Sequence, residues 1–356
     1  MKKSLLWLLI LMISIPMVAA FSLAGCKTTA ATTTAAAAET TKAAKAYKIA
    51  VSAKLSGIPF FIAAQKGAQE AVDELGDTLI FQSPAEPTAE EQIKIIDSFI
   101  TQKVDGIAIS ADDQDALVPV CKKARDAGIK VISWDSGIAK EGTLLFISPA
   151  DNEEVGRMEV KGLAEQINYE GEFAILSTTP ETANQNLWIK WMKEELKDPK
   201  YAKMKLVSIV YGNDQSEKNY TEVVGLLKTY PNLKGLISPT SSGPPSISRV
   251  LEDQKLSGKI AVVGLALPSA MKDYILDGTC KNVWIWNPID FGYIAVYATH
   301  LLISGELKGK VGEEFTAGRL GKRKIDVDDP ILGPTVILGP PLEINKDNVT
   351  ELAKTF

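Results

Sequence analysis

From Tyr47 onward, apolar runs of strand length alternate with segments whose apolar residues recur at helical spacing. A chain with this rhythm has few options. A parallel neighbour needs a crossover, so successive strands run parallel and the helices cover both faces of the sheet. The runs at 48–52, 78–82, 106–110 and 129–137 read as strands, and 60–75 and 114–127 as helices. Ala68, Ala71, Val72 and Leu75 share one helix face, ended by Gly76. Leu117, Val120, Cys121 and Ala124 share another, ended by Gly128. Thr88 with Glu91 three residues on starts a helix by a capping-box pattern, with Ile93, Ile96 and Ile100 as its apolar face.

The rhythm restarts after Gly137. Strands at 144–148, 173–177, 205–211, 236–238, 260–264 and 283–286 alternate with helices at 153–167, 184–196, 217–229, 244–253 and 271–276. A long helix at 289–303 follows, and the tail from Gly305 has no clear period and reads as strands and loops. Two consecutive α/β units of similar size imply two lobes around a cleft.

The strand 129–137 stops on Trp134, Asp135 and Ser136. In open α/β sheets, ligands bind outside the carboxyl ends of strands. An indole face beside a carboxylate suits a polyhydroxylated ligand. The ring covers C–H surface, and the carboxylate accepts charge-assisted hydrogen bonds from hydroxyls. The same residues fit a core Trp and a helix-capping Asp equally well.

Met1-Lys2-Lys3, the apolar run 4–20 and the small residues before Cys26 make a secretory signal. Residues 27–46 are a Thr/Ala-rich tract with scattered Lys and no apolar period, a flexible tether. The 356 residues carry a net charge of −5, and loss of Lys2 and Lys3 with the signal makes the chain more acidic still. An acidic chain without a basic stripe argues against nucleic acid. Three cysteines leave Cys121 and Cys280 beside Cys26 and do not suggest a disulfide scaffold.

Enzymatic signals are sparse. His300, the only histidine, sits one helical turn from Tyr297 and reads as structural. There is no Gly-x-Ser-x-Gly elbow, Walker-A loop or His/Cys metal cluster. Adjacent carboxylates such as Asp112-Asp113 are common on loops and argue for nothing by themselves. A glycosidase needs two facing carboxylates, and only Asp135 stands out in the cleft. No enzyme activity, cofactor or metal is expected.

Several segments carry a resemblance. Leu23-Ala24-Gly25-Cys26 resembles the bacterial lipobox, which implies cleavage before Cys26 and lipidation of its thiol. Ile58-Pro59-Phe60-Phe61 followed by Lys66-Gly67-Ala68-Gln69-Glu70 resembles the first helix of type I (ribose-binding-like) periplasmic sugar-binding proteins of ABC importers. Asp105-Gly106-Ile107-Ala108-Ile109-Ser110 and Ala127-Gly128-Ile129-Lys130-Val131-Ile132 resemble the third and fourth strands of that class. Ile132-Ser133-Trp134-Asp135-Ser136, Ala183-Asn184-Gln185-Asn186-Leu187-Trp188 and Trp286-Asn287-Pro288-Ile289-Asp290 are similar to the branch that holds rhamnose-binding proteins and autoinducer-2 receptors.

The resemblance implies an α/β fold of two Rossmann-like lobes with parallel sheets joined by three crossovers. The crossovers would follow Asp135-Ser136, Asn287-Pro288 and the region of Gly318. The first lobe would then comprise 47–136 and 288–318, and the second 137–287 and 319–356. It also implies ligand contacts at Lys54, Phe60, Phe61, Asp135, Asn184, Gln185, Pro239 and Ser241, with Trp286 and Asn287 at the hinge. Lys54 also fits a solvated loop, and the two Phe a core. Asn184 and Ser241 depart from the autoinducer-2 receptor pattern, which has Asp and Ala there, and Asn184 looks like the rhamnose-binding one. Val263-Gly264-Leu265-Ala266 lacks the Asp usual in ribose binders.

The expected protein is a monomeric, exported, lipid-anchored binding protein. It would close on a small sugar, with a rhamnose-like deoxyhexose ahead of autoinducer-2, and deliver it to ABC permease subunits. A sensory receptor is the alternative, and an extracellular carbohydrate enzyme a remote one. Replacing Cys26 by Ser is expected to release the protein from membranes or leave it as uncleaved precursor, as fractionation and N-terminal sequencing would show. Protein that still begins at residue 26 and stays membrane-bound would exclude the lipobox.

Overall fold

The structure, a computed structural model, describes residues 45–356. The signal expected over 1–26, with Cys26, and the expected tether up to residue 44 lie outside the described residues. The chain first lays down β1 (Lys48–Ser52), α1 (Pro59–Leu75), β2 (Thr78–Phe81), α2 (Ala89–Thr101), β3 (Gly106–Ile109), α3 (Val118–Asp126), β4 (Lys130–Trp134) and β5 (Phe146–Ser148). It continues as α4 (Asn152–Gln166), β6 (Glu170–Ser177), α5 (Ala183–Glu195), β7 (Lys203–Tyr211), α6 (Ser216–Thr229), β8 (Leu233–Ser238), α7 (Gly243–Asp253), β9 (Ala261–Gly264), α8 (Pro268–Leu276) and β10 (Asn282–Ile285). After α9 (Pro288–Ser304) come β11 (Glu314–Thr316), β12 (Lys322–Lys324), β13 (Val327–Asp329), β14 (Gly333–Ile337), β15 (Leu342–Asn345) and α10 (Val349–Leu352).

Strands β2-β1-β3-β4-β5 form a parallel sheet, extended by β14 beside β5 and by β13, antiparallel, at the edge. Strands β7-β6-β8-β9 form a second parallel sheet. A bridge from Leu265 to Trp284 continues it to β10, which pairs antiparallel with β15. This is the expected α/β, type I arrangement, and the chain passes between the two sheets three times.

The middle passage runs from β10 through Trp286 and Asn287 into α9. The other two do not lie where expected. They fall at 149–151, between β5 and α4, and at 338–341, between β14 and β15. The sheet of the first lobe therefore includes β5 and β14, beyond the expected boundaries at 136 and 318. The reason is that β4 reaches its parallel neighbour β5 through a loop over 135–145 with no helix, so the alternation resets before the lobe ends.

Two helices differ locally. Helix α3 begins at Val118 rather than Gln114, because Asp113 Oδ1 accepts from the N–H groups of Asp115 and Ala116 and holds a turn there. Pro119 then fits the first helical turn. Helix α2 is capped as expected, with Thr88 Oγ1 accepting from Glu91 N at 3.3 Å. Its buried face is Gln92, Ile95, Ile96 and Phe99, rotated from the apolar count. Gln92 is inside because its amide is used on both sides. It donates to Ser110 O at 2.7 Å and accepts from Asp112 N at 2.9 Å.

Helix α9 explains how the lobes are tied. It leaves the second sheet yet packs on α1 and touches β1, β3 and β4 of the first. It is apolar almost all round, as a helix buried on every side must be. Contact with α1 is backbone to backbone. A Cβ at Gly67 would meet Ile289 O at 1.7 Å, and one at Gly292 would meet Ala64 O at 1.9 Å. Gly292→Ala is expected to destabilise the protein by about 1–3 kcal/mol through overpacking, read as a lower urea midpoint.

Candidate ligand-binding cleft

Segments following β1, β4, β6, β7, β8 and β9 bring their side chains to one cavity at the carboxyl ends of both sheets. Lys54, Phe60, Phe61, Asp135, Asn184, Gln185, Pro239, Ser241 and Trp286 line it. Trp134 and Asn287 do not. Trp134 is fully buried and packs edge-on against Phe61 and Phe291, with centroids 5.9 and 5.4 Å apart. The core reading of that indole is the correct one. Asn287 caps α9, its Oδ1 accepting from Ile289 N at 2.9 Å and Asp290 N at 3.4 Å, so its acceptor serves the helix rather than the cavity. Ile58, Trp188, Asp214, Thr240, Leu265 and Ile285 also line the cavity and were not anticipated. Asp214 had a signal, since it too follows the carboxyl end of a strand.

Asp135 leaves β4 in the left-handed region, φ +60°. Such a backbone is costly for most side chains, and Asp is among the residues that tolerate it. The turn sets its carboxylate among donors from both lobes. Oδ2 accepts from Ser110 Oγ at 2.6 Å and faces Lys54 Nζ at 3.2 Å, and Oδ1 accepts from Asn184 Nδ2 at 3.2 Å. Lys54 Nζ also donates to Asn184 Oδ1 at 3.3 Å and lies 6.0 Å from the Phe61 ring centre. Lys54 is buried, not a solvated loop lysine. The Asn184 amide thus accepts from one residue of the first lobe and donates to another, a dual role an ionised carboxylate lacks.

Gln185 Oε1 is spent on Ser177 Oγ at 3.0 Å and Thr178 N at 2.9 Å, leaving its amide nitrogen to offer the cleft. Apolar walls face this polar centre. Phe60 stands edge-on to Phe61 and Trp286, at 5.3 and 6.2 Å, and Trp188 lies 5.8 Å from Trp286. The space left for the centre of a water-sized sphere is about 30 Å³, room for a couple of waters. In this conformation the cleft side chains meet one another, so a larger ligand would take the place of some of these contacts.

His300 and the two described thiols lie apart from this cavity. His300 Nδ1 lies 2.6 Å from Asp77 Oδ2, away from the cavity lining. Cys121 and Cys280 are free and buried, and burial pushes each thiol up to about 12.

The periplasmic binding protein domain family matches residues 49–307. The chain belongs to that family. An ABC transporter solute-binding protein from Clostridium phytofermentas, solved with bound L-rhamnose, is 33% identical with a TM-score of 0.85, over 88% of this chain and 99% of that one. The D-ribose/D-allose-binding protein of Pseudomonas aeruginosa is 29% identical over 65% of this chain and 74% of that protein. LsrB from Clostridium saccharobutylicum in complex with AI-2 shares the fold at 22% identity, TM-score 0.80, over 85% of this chain and 99% of that one. This periplasmic binding protein thus stands among sugar-binding transport proteins rather than enzymes.

The wall of the second lobe depends on Asp214. Its Oδ2 accepts from Thr178 Oγ1 at 2.8 Å, and its Oδ1 from Ser242 Oγ at 2.8 Å and from Thr240 Oγ1. Asp214→Ala removes the acceptor of three hydroxyls, leaving Thr240 and Ser242 only each other and Asn219, and places Ala at φ +56°. A loss of at least about 2 kcal/mol is expected, read by urea denaturation.

Proposed function

We propose that this periplasmic binding protein captures a small deoxyhexose of the L-rhamnose kind between its lobes and delivers it to an ABC permease. In this reading it is held at the cell envelope by lipid on Cys26. The observation that carries the choice of ligand is the Asn184 amide, which accepts from Lys54 and donates to Asp135. A sugar hydroxyl, itself donor and acceptor, can replace either contact, and a neutral amide can answer it in both senses. The apolar wall of Ile58, Phe60, Phe61 and Leu265 suits the methyl group of a deoxy sugar better than another hydroxyl. The solute-binding relative at 33% identity was solved with L-rhamnose, which supports the same reading. Capture works by hinge closure. Ligand bridges both lobes only when they meet, so it shifts the population towards the closed form.

Titration calorimetry against L-rhamnose, D-ribose and autoinducer-2 tests the reading. Heat from rhamnose is expected to dominate. Tight autoinducer-2 binding with no heat from rhamnose would reverse it. Asp135→Ala is expected to weaken rhamnose binding by at least about tenfold, since a hydrogen bond to a charged group contributes about 1.5–3 kcal/mol.

A further inference from the structure

Asp112, in the loop after β3, is a carboxylate the ligand reading leaves unused. Its neighbour Asp113 holds an exposed turn, but Asp112 is only 3% exposed. The Asp112 N–H donates to Gln92 Oε1 at 2.9 Å, which fixes the loop, while its Oδ2 is enclosed and among the described residues has no hydrogen-bond partner. The charges that act on it are Lys54, Asp113 and Asp135 of the first lobe and Asp214 of the second. Lys54 is the one cation among them, and Asp214 the one charge from the second lobe.

That cation is committed elsewhere. Lys54 Nζ lies 3.2 Å from Asp135 and 3.3 Å from Asn184, and among the described residues it makes no ion pair with Asp112. Asp135 is answered by Lys54, Ser110 and Asn184, and Asp214 by three hydroxyls. Of the three, Asp112 alone has an enclosed carboxylate oxygen that nothing among the described residues answers. An ionised carboxylate enclosed without a partner is strongly disfavoured, and a proton removes that charge.

We propose that Asp112 is a positioning residue that takes up a proton when the lobes close, leaving Lys54 to Asp135, Asn184 and the ligand. The inference rests on reading the cleft as the ligand site. Ionised in the closed cleft, Asp112 would draw Lys54 from Asp135 and repel Asp214 on the opposite lobe. Burial is the main influence on the Asp112 carboxyl. Lys54 opposes it, Asp214, Asp113 and Asp135 reinforce it, and the group is pushed up to about 8. With water at the loop in an open cleft, it falls back towards the ordinary value of about 4. Closure therefore binds a proton between those two values. It is favoured at the acid end, weakens as pH rises towards about 8, and loses its pH dependence above that.

The test compares wild type with Asp112→Asn, which keeps shape but carries no titratable proton. Wild-type affinity for L-rhamnose is expected to fall at least about tenfold from about pH 6 to about pH 9, while the variant stays flat. Parallel profiles would overturn the proposal. Small-angle scattering of both proteins without sugar keeps the two readings apart. A radius of gyration that grows with pH in wild type alone supports Asp112 even if no sugar binds. If no sugar binds, radii that respond alike in both proteins overturn the proposal along with the sugar reading.

Discussion

The amide of Asn184 is the point on which the cleft depends. It is the second lobe's contribution to a triangle whose other corners, Lys54 and Asp135, belong to the first. Each corner is enclosed, so each would be costly alone. A buried ammonium or carboxylate is tolerable only while its partners are in place. Closure and charge satisfaction are thus one event. When the lobes part, water must take over from Asn184. When they meet around a ligand, its hydroxyls can do the same work. Among the described residues the outer rim adds one exposed cross-lobe bond, Gln215 to Glu86 at 3.0 Å.

The walls of the cleft are rigid for a different reason. Phe60 and Phe61 begin α1, and Trp286 ends the passage into α9. The two helices touch backbone to backbone at Gly67 and Gly292, so neither can slide without a clash. Phe60 and Phe61 are therefore held by the same packing that fixes α9 to the first lobe. Trp134 supports them from beneath, edge-on to Phe61 and Phe291, without reaching the cavity.

Most of the architecture was legible because it rests on period and punctuation. Helical spacing and stops such as Gly76, which takes φ +73° at the end of α1, marked the elements nearly residue by residue. The strand-end rule pointed to Asp135, whereas Asn184 and Pro239 came from the resemblance alone. The failures share a cause, which is that sequence records identity and not direction. Trp134 and Asp135 are adjacent, yet one lies in the core and the other faces the cleft. Asp112 and Asp113 look alike, and only the Asx turn at Asp113 and the amide of Gln92 separate them. Asn287 did carry a readable signal, since Asn before Pro at a helix start is a cap. The early lobe boundary came from β5, a three-residue strand reached without a helix.

The path of the chain has a consequence for its biogenesis. The first sheet starts with Lys48 but is not finished until β14, near residue 337, and its covering helix α9 arrives only at 288–304. The second lobe, by contrast, is nearly continuous from α4 to β10. During synthesis the earlier-made half must wait for residues almost at the far end, and such long-range closure is slow. Its apolar surfaces stay uncovered for most of that time, which invites chaperone capture. A polypeptide threaded across a membrane as an extended chain is served by this delay, because the lobe made first cannot lock before the remainder has emerged.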